Sequence, residues 1–122
     1  MEDRKDARRE LGRRGEEAAV RHLERRGYKI LSRGERLLRG DIDVIAFGRG
    51  TLVFVEVKTR AGSVCGAPEE SVTPAKQKQI RKLAQAYLSR RRLEDAPCRF
   101  DVIAVLFDGD GRPVLTHFED AF

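Results

Sequence analysis

The chain changes its hydrophobic rhythm several times, and each rhythm predicts an element. From about Arg4 to Arg26 the apolar positions Ala19, Val20 and Leu23 recur at helical spacing in a basic background, which predicts a helix. Stepping back three or four residues from Ala19 and Val20 reaches Glu16, so that carboxylate leans toward the buried face. Glu17 falls on the side of Arg13, Arg21 and Glu24, where pairing one turn away with Arg21 accounts for it. Gly27 follows as a helix-ending residue, and Tyr28 to Leu31 reads as a short strand. Residues Ser32 to Arg39 are charged, with only Leu37 and Leu38 as anchors, and read as a loop or an irregular edge strand.

At Gly40 the period becomes two. Ile42 to Phe47 and Thr51 to Thr59 are rich in β-branched and aromatic residues and flank Gly48-Arg49-Gly50, a strong hairpin signal. Centring the turn on Arg49 and Gly50 sets Phe47 opposite Leu52, Ile45 opposite Phe54, and Asp43 opposite Glu56. Val53, Val55 and Val57 then share one face, and Leu52, Phe54, Glu56 and Lys58 the other. A strand apolar on both faces except at one end is a central strand with a polar site at its tip. The segment from Arg60 to Val72 breaks the pattern with Gly, Ser and Pro; it is either a plain connector or a loop that lines the site.

Thr73 and Pro74 are a helix start, N-cap and first residue, and the helix runs to about Arg91. Ile80, Leu83, Ala84, Tyr87 and Leu88 form its single buried stripe, and Lys78, Arg81, Lys82 and Arg90 to Arg92 lie mostly on its outer face. Lys76 sits near the helix start, where the dipole disfavours a cation, which hints at a phosphate or carboxylate partner. Phe100 to Phe107 is almost continuously apolar, as expected of a strand buried on both faces, parallel to Thr51–Thr59 through a right-handed crossover. Asp101 at its start reads as structural, paired with Arg99 or another base. Asp108 to Gly111 is a turn without the ligands of a calcium loop, Pro113 to Phe118 an edge strand, and His117 a lone structural histidine. The expected layout is one α/β domain over residues 1–122, α-β-β-β-α-β, with a mixed central sheet flanked by helices.

Charge adds a partner to this frame. The sequence has 25 Lys and Arg against 20 Asp and Glu, a net +5, which favours a polyanion such as nucleic acid. Arg13, Arg14 and the other arginines of the first helix are either a solvated face or a phosphate-contacting one. No apolar run is long enough for a bilayer, and the first residues carry no hydrophobic signal region, so a cytoplasmic protein with no membrane partner is expected. Cys65 and Cys98 match no zinc spacing and read as reduced structural thiols. With no Trp and few aromatics, a base-stacking platform for single strands is poorly supported.

Two carboxylates forced to face each other across strands are destabilising unless a cation sits between them. Asp43 and Glu56 are therefore candidate oxygen ligands for Mg²⁺ or Mn²⁺, with the carbonyl of Val57 within reach of the same ion. Such a cation supplies both a nucleophilic water and charge stabilisation for phosphodiester hydrolysis. Lys58 would orient or deprotonate the water, or neutralise the transition state.

The series Asp43, a hairpin, then Glu56-Val57-Lys58 resembles the PD-(D/E)xK motif of the restriction-endonuclease-like nuclease superfamily, with Ile42 where the eponymous Pro would stand. More closely, the chain resembles the YraN-like family of bacterial proteins, related to archaeal Holliday junction resolvases. The stretches that carry this are Gly15-Glu16 with Ala19 and Leu23, Gly27-Tyr28 with Ile30-Leu31, Gly40-Asp41-Ile42-Asp43, Val53 to Arg60, Lys76, Cys98 to Asp101, and Ala121-Phe122. Asp41 stands where the family pattern carries Glu. The resemblance implies the restriction-endonuclease-like αβββαβ core and a catalytic set of Asp43, Glu56, Lys58 and Glu16, the last matching the helical Glu that related resolvases use near the metal. Nucleic-acid contacts are expected at Lys76, Arg60, Arg13 and Arg14. For resolvase relatives it also implies a homodimer. Two functions stay open: a Mg²⁺-dependent endonuclease acting on DNA, branched or junction DNA included, and a non-catalytic nucleic-acid-binding protein on a nuclease fold. A third, an assembly partner with no nucleic-acid role, is favoured if the arginines are paired with the chain's own carboxylates.

Overall fold

The computed structural model describes residues 4–61 and 72–122. The elements follow in the order α1 (Arg4–Arg25), β1 (Lys29–Leu37), β2 (Gly40–Gly48), β3 (Thr51–Ala61), α2 (Pro74–Arg90), β4 (Cys98–Phe107) and β5 (Pro113–Phe118). They make one five-stranded sheet in the order β1-β2-β3-β4-β5. Only β3 and β4 run parallel, joined through α2, and every other neighbouring pair is antiparallel. This is a mixed α/β architecture with the expected αβββαβ core and β5 added at the edge.

Local chemistry sets the boundaries. Gly27 adopts φ +91°, its N–H bonds the Glu24 carbonyl and the Tyr28 N–H bonds Leu23, so α1 closes in a Schellman turn that a side chain at Gly27 would strain. Arg49 and Gly50 have φ of 54° and 76°, the two left-handed residues of a type I′ hairpin turn. That turn fixes Phe47 opposite Leu52 and Ile45 opposite Phe54, as the sequence spacing predicts. The Thr73 hydroxyl accepts the Lys76 N–H at 3.2 Å, with Pro74 in the first turn.

β1 is longer than the short strand suggested by Tyr28 to Leu31. It continues as an irregular edge strand through the charged stretch, with a register shift between Ile30 and Ser32 and Gly34 at φ +61°. An edge strand needs hydrogen bonds on one side only, so charged side chains do not prevent its pairing. The connector expected between Arg60 and Val72 falls largely on residues 62–71, outside the described residues, as does Cys65. Cys98 is an exposed free thiol.

The helices pack on opposite faces of the sheet. Ile80, Leu83, Ala84, Tyr87 and Leu88 of α2 lie with Ile45, Phe54, Phe100 and Val102, whereas Ala19, Val20 and Leu23 of α1 lie with Val44, Val53, Val55, Ile103 and Val105. β3 is buried from both sides and has a strand on each flank. Its Phe54 ring stacks on Phe100 at 5.5 Å and meets Tyr87 edge-on at 5.9 Å. Truncating a ring so placed costs about 3–5 kcal/mol, so the strand that carries Glu56 and Lys58 is a rigid platform.

Candidate active site

One residue pair beyond the last regular β2–β3 pairing, Val44 with Val55, come Asp43 and Glu56. The strict alternation of β2 breaks here: Ile42 and Ile45, three apart, both pack on the α2 side, while Val44 packs on the α1 side. Asp43 stands at that break. Its Oδ2 accepts the Val57 N–H at 2.8 Å, and its carboxyl group hydrogen-bonds that of Glu56. The two acids thus meet as the hairpin count requires. Glu56 is only 9 % exposed, midway along β3 and directly after its apolar run Leu52 to Val55.

Electrostatics follow from that burial. Desolvation, then the charge of Asp43, push the Glu56 carboxyl up to about 7, while Lys76 and Lys58 pull it back. Burial also raises Asp43, against the hydrogen bonds from Val57 and Glu56 and the charge of Lys76, with Asp41 adding to the rise. Burial and mutual repulsion therefore make the pair favour a bound proton more than two solvated carboxylates would. Lys76 lies close enough to act on both acids, which answers its odd place at the start of α2, where the first turn contains no acidic residue.

Glu16 comes from the other face. α1 crosses β3 at Gly15, which is buried against Thr59, and the next residue, Glu16, is half-buried beside Asp43. Burial, then Asp43, raise its carboxyl; Arg33 lowers it and Asp41 raises it again. The structure thus gathers Asp43, Glu56, Lys58, Lys76 and Glu16. The Gly15–Thr59 contact and Arg33 were not singled out from the sequence, where a helical glycine reads only as a weak helix former. Among the described residues no three His, Cys, Asp or Glu side chains form a ready cage for a metal. The donors that the structure brings together are the carboxylates of Asp43 and Glu56, few enough to suit an ion that retains its waters, as Mg²⁺ does.

The predicted nucleic-acid contacts divide. Arg60 is exposed near the end of β3 and has no ion pair among the described residues. Arg14 covers the Phe107 ring at 4.5 Å and donates to the Gly111 carbonyl. Arg13 is tied to Glu10 at 2.7 Å. Own-chain carboxylates also hold Arg21 and Arg33 (both on Glu17), Arg26 (Glu119) and Arg91 (Glu35), so part of the positive charge is internally matched. These pairs are exposed, and each is worth less than about 1 kcal/mol.

A second polar cluster lies deep on the α1 side. Asp101, with no exposed surface, accepts from Arg99 at 2.9 and 3.0 Å and from the Asp120 N–H at 2.9 Å. The Arg99 pairing was expected, but His117 is not alone: its Nε2 lies 2.7 Å from Asp101 and its Nδ1 3.1 Å from His22 Nε2. Arg99 also donates to the Tyr28 hydroxyl at 2.8 Å. The cluster ties α1, β4, β5 and the residues after β5 together.

Fold and centre define a class: a mixed α/β protein with carboxylates of two neighbouring strands paired and two lysines beside them. Within that class the chain belongs to the family described as "Uncharacterised protein family UPF0102", whose model matches residues 15–105. It is 48 % identical over 121 residues to a UPF0102 protein of Geotalea uraniireducens, covering 99 % of this chain and 94 % of the relative. It is 49 % identical over 118 residues to one of Pelotomaculum thermopropionicum, covering 96 % and 98 %. The resemblance to the YraN-like family is thereby borne out. No helix among the described residues is long and apolar enough to cross a membrane.

Proposed function

We propose that this protein is a metal-dependent endonuclease that hydrolyses phosphodiester bonds in DNA, branched or junction DNA included. The observation that carries the reading is the buried, mutually hydrogen-bonded pair Asp43 and Glu56, flanked by Lys58 and Lys76. Its spacing, Asp43 then Glu56-x-Lys58, matches the PD-(D/E)xK nuclease motif. A structural purpose does not account for two like acids at this depth, since an apolar pair there would be cheaper.

Asp43, Glu56 and the Val57 carbonyl would hold Mg²⁺ or Mn²⁺, which when bound supplies an acidified water and stabilisation of phosphoryl charge. The proton shared by the two carboxyls leaves on loading. Lys58, two residues along the same face of β3, orients the attacking water or neutralises the developing negative charge. Lys76 of α2 offsets the charge of the acids as well, and Glu16 adds a carboxylate beside Asp43. Arg60 would meet a flanking phosphate, and Arg14 a more distant one on the other side of α1. By the resemblance, the working form is a homodimer.

The test is a cleavage screen over linear, flapped and branched DNA with Mg²⁺ or Mn²⁺, comparing the wild type with folded Glu56→Ala and Lys58→Ala proteins. Metal-dependent nicking lost in both variants is the expected result. Nicking that survives both changes identifies a contaminant and sinks the assignment. Salt-sensitive binding without turnover on any substrate points instead to a nucleic-acid-binding protein on a nuclease fold.

A further inference from the structure

The side of α1 that faces β5 carries a groove that the carboxylate pair does not use. It encloses about 270 Å³, floored by Phe107, Pro113 and Leu115 and walled by Arg14, Arg21 and Arg25. Arg13 and Glu17 complete the helical wall, so four cations face one carboxylate. That carboxylate is shared between Arg21 at 3.5 Å and Arg33 at 3.1 Å. Arg25 has no ion pair among the described residues. The guanidinium of Arg14 is fixed by the Phe107 ring and the Gly111 carbonyl, and most of its five N–H donors stay available.

We propose that this groove seats a second stretch of nucleic-acid sugar-phosphate backbone, on the far side of α1 from the Asp43–Glu56 centre. The proposal rests on the nuclease reading above. Arg14 and Glu16, two residues apart, point to opposite sides of α1, Glu16 toward Asp43 and Arg14 toward Phe107, so the groove runs along the far side of the helix from the centre. From Arg14 to Arg25 the helix rises about 17 Å, close to the span of about five phosphates in one strand. The floor selects backbone rather than bases. Phe107 is buried under Arg14, leaving no free ring for a base to stack on, and Pro113 and Leu115 have no side-chain donors or acceptors with which to read base edges. Fixed guanidinium groups over an apolar floor recognise phosphate charge and tolerate any sequence.

Fluorescence anisotropy of labelled duplex DNA, with chelator present so that nothing is cut, tests this directly. Arg25→Ala is expected to weaken binding several-fold and to lower the slope of log K against log salt by about one, with the melting temperature unchanged. Glu17→Gln, which removes the one acid of the groove, is expected to tighten binding. Wild-type affinity and slope in both Arg25→Ala and Arg14→Gln proteins that remain folded would overturn the groove. So would displacement of the duplex by polyglutamate at equal charge, which would make the groove a site for acidic proteins. Cleavage is scored separately with Mg²⁺. A changed slope without cleavage leaves the groove standing and removes the nuclease reading, and cleavage with an unmoved slope does the reverse.

Discussion

Gly15 of α1 lies so close to Thr59 of β3 that a methyl group on its Cα would overlap the side chain of Thr59. This contact sets the distance between the helix that carries Glu16 and the strand that carries Glu56. Gly15→Ala is therefore expected to destabilise by about 1–3 kcal/mol through overpacking, outweighing the gain of about 1 kcal/mol in helix preference. Melting temperature should drop by several degrees. Thr59→Gly in the same chain should recover part of the loss, a coupling that a double-mutant cycle reads. A higher melting temperature for Gly15→Ala alone would contradict the close packing.

Glu56 titrates at about 7 in the fold against its ordinary 4.5, so folding favours its protonated form. The associated stability is fully present below about pH 4.5 and is lost as pH rises through about 7, with Asp43 shifted in the same direction. Across that window the metal-free protein should lose on the order of 2–3 kcal/mol relative to Glu56→Gln. Mg²⁺ or Mn²⁺ should raise the melting temperature with concentration by mass action, most at the alkaline end, and Asp43→Asn should remove the effect. The measurement is thermal melting of the wild type and both variants over pH, with and without metal. Equal pH dependence in wild type and Glu56→Gln counts against the buried pair.

Lys76 depresses both acids of the pair. Lys76→Met should move the titration of Glu56 to higher pH, visible in the carboxyl carbon resonance, and should shift the acid limb of any metal-dependent activity the same way. A titration left in place would mean that the lysine points away from the acids in solution.

Asp101 is held below the usual carboxylate range: burial alone would raise it, but the hydrogen bonds from His117, Arg99 and the Asp120 N–H lower it. His22 is also lowered, first by burial and then by His117. Both shifts give stability that is present at neutral pH. The His22 part is lost as pH falls from about 6.5, and the Asp101 part below about 3.8. His22→Phe should flatten the first phase of urea stability against pH. Asp101→Ala should cost about 3–5 kcal/mol by leaving Arg99 without its partner, and a loss under about 1 kcal/mol would show that the cluster is hydrated and weak.

Much of the site was legible because its information is local. A two-residue turn at Arg49 and Gly50 fixes the pairing register as far as Val44 and Val55, and Asp43 and Glu56 are the next residues along. The stripe Ile80 to Leu88 likewise declares its buried face through helical spacing. What escaped is what depends on packing at a distance. The break in alternation at Asp43 cannot be read from a pattern that assumes alternation, and Ile42 looks like any strand residue. The charged half of β1 hides its strand character because an edge strand tolerates charge on its open side. His22 and His117 lie 95 residues apart, with nothing local to suggest that they meet.

That separation bears on how the protein comes into being. α1 leaves the ribosome early, yet its tie to the sheet through His22 and His117 waits until β5 has been made. Until then the cluster holds the end of α1 only through Arg99 and Tyr28. A chain interrupted before β5 would lack this tie, while Ala19, Val20, Leu23 and Gly15 of α1 would still meet β2 and β3, so the loss would fall on the Asp101 cluster rather than on the carboxylate pair.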